Sequence, residues 1–115
     1  MVVLVAFELR SYSEAIGGAI QILRPHVEVA IAEPDELGAK VARLDPELVL
    51  CSRSNITGRN DKPAWVEFRP YEWPGATVYV GGGYSKLEQV EFADLLAVVD
   101  LTEDLMRADL AIDGC

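Results

Sequence analysis

Apolar residues in the first half of the chain come in short unbroken runs, each followed by a stretch of helical spacing. Val2 to Phe7 is such a run, rich in β-branched residues, which is the pattern of a strand covered on both faces. Ser11 and Glu14 stand at capping-box spacing, and Tyr12, Ile16, Ala19, Ile20 and Leu23 share one helical stripe. Gly17-Gly18 inside that helix costs about 1 kcal/mol per glycine relative to alanine, which suggests close packing on a sheet. Pro25 ends the helix. Val27 to Ile31 predicts a second strand. Glu33-Pro34-Asp35-Glu36 then puts proline in a first turn and acids at the positive end of the helix dipole, with Leu37, Val41 and Leu44 as the stripe. Asp45-Pro46 stops this helix and Leu48 to Cys51 forms a third strand. Strands alternating with helices in this way predict right-handed crossovers and a parallel sheet.

The regularity breaks after Cys51. Ser52 to Pro63 has no apolar period and reads as a loop where a third crossover helix is expected. Trp65 to Phe68 alternates like a short strand, and Ala76 to Val80 is a further strand closed by Gly81-Gly82-Gly83. Ser85 with Glu88 is a second capping-box spacing. From there Phe92, Leu95, Leu96, Val99, Thr102, Leu105 and Met106 keep helical spacing. One long helix is the preferred reading; a fifth strand over 95–99 followed by a separate helix is the alternative. The expected fold is a single α/β domain over residues 1–115. It is a three-layer sandwich with a mostly parallel central sheet, one or two strands of which come from the second half.

Composition narrows the function. Half of the 115 residues are apolar and a quarter charged, as in globular proteins, and the net charge of −9 disfavours nucleic acid and anionic membrane as partners. Cys51 and Cys115 make no disulfide framework, and the apolar start meets Glu8 and Arg10 too soon for a signal peptide or a membrane span. A cytoplasmic protein is expected. With one histidine and two separated cysteines, neither a zinc site nor any other cofactor is expected.

The phrase Pro46-Glu47-Leu48-Val49-Leu50-Cys51-Ser52, in a strand-helix-strand-helix-strand order, resembles response-regulator receiver domains, which are flavodoxin-like. Receivers characteristically read Pro-Asp-Leu-Val-Leu-Leu-Asp there. The resemblance covers residues 2–52 and, more loosely, 76–83. It implies a sheet order of 2-1-3, an acidic pair after the first strand that holds Mg²⁺, an aspartate ending the third strand that accepts a phosphoryl group, and a hydroxyl residue and a lysine on later strands. Here the acidic pair is Phe7-Glu8, the acceptor position is Ser52, the hydroxyl position is Gly81, and no lysine matches. Mg²⁺ usually takes one or two carboxylates, and phosphoryl transfer needs charge neutralised on both moving oxygens, so receiver phosphorylation is not expected.

Three functional readings remain. The first is a non-catalytic pseudo-receiver that binds a protein partner or itself. Its candidate surface comprises Trp65 and Trp73, from a set of aromatics that suits either a partner surface or a core plug, and Val98, Leu101 and Leu105 on the last helix. The second is an anionic-ligand or nucleotide site at the carboxyl end of the sheet, built from Glu8, Ser52, Arg53, Gly81, Gly82 and Gly83. The third is an enzyme using Cys51 or Ser52. It lacks companions, because Thr57 stands where a phosphatase-type cysteine loop would place its arginine, and His26 lies at the far end of the topology.

Overall fold

In a computed structural model of the chain, residues 1–53, 64–69, 75–80 and 83–113 are described. The elements run β1 (Val2–Ala6), α1 (Arg10–Leu23), β2 (Glu28–Ile31), a 3-10 turn (Pro34–Glu36), α2 (Leu37–Leu44), β3 (Leu48–Cys51), β4 (Ala64–Phe68), β5 (Ala76–Val80), β6 (Gly83–Leu87) and α3 (Phe92–Asp113). The strands form one mixed sheet of order β2-β1-β3-β4-β5-β6. β1, β2, β3 and β4 pair in parallel, whereas β5 and β6 add on as antiparallel strands. The expected 2-1-3 order is present. The predicted loop in place of a third crossover helix falls largely on residues 54–63, outside the described residues.

Alternation along the strands sorts side chains into two cores. Val3 and Val5 of β1, Leu48 and Leu50 of β3, Val66 of β4 and Val78 of β5 face Ile20 of α1 and Leu95, Val98 and Val99 of α3. Leu4, Ala6, Val49, Cys51 and Trp65 form the opposite cluster with Leu37 of α2. Every residue of β3 has 0 % exposure, which explains why its sequence is apolar without interruption.

Local signals fared unevenly against this packing. Glu33 and Glu36 form the reciprocal capping box at the 3-10 turn, with Pro34 at its start, and Asp45 ends α2 in the left-handed conformation (φ 46°). The Ser11–Glu14 box does not form. The helix opens at Arg10, Glu14 is taken by Arg10 Nε at 3.0 Å, and Ser13 Oγ accepts the buried Phe7 N–H at 2.8 Å. Leu23, assigned to the buried stripe, is 49 % exposed. The Ser85–Glu88 box is overturned as well: Ser85 pairs with Val78 inside β6, because a ladder of backbone hydrogen bonds outcompetes a single cap. α3 starts instead at Phe92, where Asp94 Oδ2 accepts Glu91 N–H at 2.9 Å. Residues 95–99 are helical, as preferred.

Two glycines illustrate opposite situations. A Cβ on Gly17 would meet Val29 Cγ1 at 3.1 Å and Ile31 Cδ1 at 3.2 Å, so this residue sets the approach of α1 to β2. Gly18 has no neighbour within 4 Å of that position.

α3 is tied to the end of α1 by a forked pair. Arg24 Nε and Nη2 donate to Asp100 Oδ1 and Oδ2 at 2.8 and 2.9 Å, and His26 Nε2 lies 2.8 Å from Glu103 Oε2. The hydrogen bonds from Arg24 hold the Asp100 carboxyl below its ordinary value of 3.8. Its contribution is therefore fully present above pH 3.8 and is lost as pH falls through the lower folded-state value.

Two outcomes follow from this packing. Gly18→Ala stabilises the protein by about 0.5–1 kcal/mol in urea unfolding, whereas Gly17→Leu destabilises it by about 1–3 kcal/mol through overlap with β2. Asp100→Asn lowers the melting temperature at pH 7, and the difference from the natural protein shrinks to nothing as thermal melts are taken below the folded-state value of Asp100. An equal difference at every pH would show that the fork contributes through packing alone.

Candidate functional site

Parallel strands deliver the loops after β1, β2 and β3 to one end of the sheet, and the candidate residues there meet. Glu8 follows β1, Asp35 lies in the 3-10 turn after β2, and Ser52 and Arg53 follow β3. Ser52 Oγ donates to Glu8 Oε1 at 3.2 Å, and Arg53 Nε reaches the same oxygen at 3.3 Å. Arg53 Nη2 donates to Asp35 Oδ1 at 3.2 Å. One guanidinium thus spans two carboxylates from two different loops, and these hydrogen bonds raise its own pKa. Glu8, Asp35 and Arg53 are all solvent-accessible, so screening keeps each of these pairs modest.

The backbone here is as heavily used as the side chains. Arg53 C=O accepts Trp65 Nε1–H at 2.8 Å and the Cys51 thiol at 3.2 Å, and Ser52 C=O accepts Arg69 Nε–H at 2.9 Å. Arg69 also pairs with Glu67 on β4 at 2.9 Å, and Arg10 with Glu33 at 3.2 Å. Every arginine described at this end therefore already faces a carboxylate.

Gly83 does not join this cluster. β5 runs antiparallel to β4 with Tyr79 opposite Trp65, and Val80 pairs with Gly83. That places Gly83 at the amino end of the parallel strands, about four residues or ~13 Å from Ser52 along the sheet. Gly81 and Gly82 lie outside the described residues. The proposed convergence of Glu8, Ser52 and Arg53 with Gly83 is overturned by strand direction, which the sequence pattern does not encode. Gly75 is a glycine of different importance: a Cβ there would collide with Leu87 C=O, so the chain can enter β5 only without a side chain.

The aromatic and helical candidates divide similarly. Trp65 is fully buried in the α2-side core, the core-plug alternative, so it offers no partner surface. Trp73 lies outside the described residues. Val98 is only 8 % exposed and belongs to the α3-side core, while Leu101 and Leu105 are 49 % and 39 % exposed. Tyr84, 57 % exposed on the outer strand, lies against Tyr79 with ring centroids 5.2 Å apart. His26 stays at the opposite end of α1 from Ser52, against Glu103. Asp35, Glu67 and Arg69 were missed. Their signal is positional: the end of β4 lies beside that of β3, and the end of β2 lies one strand away across β1.

Cys51 is sealed. Burial pushes its thiol up to about 12, against the smaller opposing effect of the hydrogen bond to Arg53 C=O. Among the described residues no three metal-binding side chains gather, and no helix is long and apolar enough to cross a membrane. Comparison of the chain with protein-family models, curated proteins and solved structures finds no match.

Burial keeps the Cys51 thiol protonated at pH 8, so the native protein resists alkylation there. In a Cys115→Ser background, iodoacetamide labels Cys51 only after denaturant is added. Rapid labelling of the folded protein would restore Cys51 as a candidate nucleophile.

Proposed function

We propose that the chain is a non-catalytic protein-interaction or regulatory module of the cytoplasm, a pseudo-receiver that keeps a receiver-like scaffold without receiver chemistry. The finer fold reading belongs to this proposal: a three-layer sandwich whose β2-β1-β3-β4 half is the parallel, flavodoxin-like core. The observation that carries it is the end of β3. Where a receiver presents a phosphate-accepting aspartate, this chain has the buried Ser52 hydroxyl donating to Glu8, and Arg53 occupies the same carboxylate oxygen. A cation already sits on the one acid left of the receiver-type pair, and the residue before it is the buried Phe7.

A second reading, anion or nucleotide binding at the same end, rests on Arg53 and is weakened by its two carboxylate partners. One set of experiments separates the readings. Acetyl phosphate with Mg²⁺ is expected to leave the protein unphosphorylated, as read by intact mass. Inorganic phosphate and ATP are expected to leave its melting temperature unchanged. Phosphoryl incorporation abolished by Ser52→Ala would overturn the pseudo-receiver reading. A thermal shift with phosphate or ATP that disappears in Arg53→Ala would install the ligand-binding one.

A further inference from the structure

α3 carries more apolar surface than the fold uses. Its buried positions, Leu95, Val98, Val99 and Thr102, face the sheet, and Asp100 and Glu103 face the end of α1. At 100° per residue, Leu101 and Leu105 lie about 150° around the helix from those two acids. α1 covers β1 and β2, so this flank looks the other way, toward the β5–β6 side of the sheet. Ala97, Leu101, Leu105 and Ala108 are all exposed and recur at spacings of four, four and three residues, a continuous ridge. The helix also continues past Glu103 to Asp113, about 15 Å further, along a molecule whose long dimension is 46 Å against 28 and 25 Å.

Charge around the ridge specifies what can cover it. α3 holds six acids and one base, and that base, Arg107, is held by Glu103 at 3.3 Å and lies 3.7 Å from Asp104. Asp94 stands at the head of the ridge and the 70 % exposed Asp104 beside it. On β6, Lys86 pairs with Thr77, and Ser85 pairs with Val78 of the α3-side core, so Lys86 points to the other face of the sheet. Of the acids on α3, Asp94 and Asp104 border the ridge, so a second copy docked there would bring like charges together. A helix with lysine or arginine along its apolar stripe would find both its apolar and its charged complement.

We propose that the Ala97–Leu101–Leu105–Ala108 flank of α3 docks an amphipathic helix of a partner protein whose apolar stripe is bordered by basic residues. This rests on the interaction-module reading and names the chemistry of the partner. The probe is a leucine/lysine amphipathic peptide of about five helical turns. Its controls are the same peptide with glutamate for lysine and one of identical composition in scrambled order, all read by fluorescence anisotropy at low and high salt. The lysine peptide is expected to bind the intact protein, and more weakly as salt rises. The glutamate and scrambled peptides bind far less.

Leu101→Ser with Leu105→Ser is expected to weaken the lysine peptide by about tenfold or more without changing helical content. Asp104→Lys, which keeps the apolar ridge, weakens it too. The proposal is overturned if no peptide binds, if the scrambled peptide binds as well, or if either variant keeps full affinity. It is overturned equally if sedimentation shows the intact protein dimerising while the serine variant is monomeric, since the occupant is then a second copy. None of these outcomes touches Ser52, so failure here leaves the pseudo-receiver reading standing, and phosphorylation of Ser52 would remove that reading without moving the peptide result.

Discussion

The complete burial of β3 governs the rest of the molecule. Leu48, Val49, Leu50 and Cys51 are inaccessible to solvent, between β1 on one side and β4 on the other. A strand apolar on both faces is stable only if both faces are covered, at about 1.5–3 kcal/mol for each large aliphatic side chain removed from water. That requirement places α1 and α3 over Leu48 and Leu50, and α2 over Val49 and Cys51. Parallel pairing then sends the loops after β1, β2 and β3 to one end.

What happens at that end is polar closure. Three loops bring Glu8, Asp35 and Arg53 together, and the arginine bridges both acids. Trp65, itself a core residue, reaches out to cap Arg53 C=O, so Arg53 is anchored by the hydrophobic packing of β4. The same packing encloses Cys51 and raises its thiol far from the range of a nucleophile. The place where an open α/β sheet usually carries its chemistry is thus occupied by its own side chains. An exposed apolar ridge lies elsewhere, on α3, with Asp94 and Asp104 beside it.

Legibility differed sharply between the halves of the chain. From Val2 to Cys51 the periodicity located every strand and helix, because each apolar run meets its cover within the next twenty or so residues and local pattern and tertiary need agree. In the second half the partner of each segment is distant or lies on an outer strand. β6 was missed because Gly83 to Leu87 is a solvent-facing strand of mixed polarity, held by its ladder to β5 and not by an apolar face. For the same reason Ser85 passed as a helix cap. The site was half legible: Glu8, Ser52 and Arg53 follow from strand ends, while Asp35 and Arg69 needed the sheet order and Gly83 needed the strand direction.

By itself the sequence determined an α/β domain with the 2-1-3 core, the burial of β3, the lack of an aspartate at its end and the apolar excess of α3, since composition and period act residue by residue. Tertiary structure decided which apolar residues stay outside. It put Val98 and Trp65 in the core and left Leu101 and Leu105 exposed, although all four look alike in the chain. It also decided that β5 turns back against β4, separating Gly83 from Ser52. Both outcomes depend on which elements become neighbours, and that is set by the collective packing of the sheet and its helices, not by any one segment's pattern.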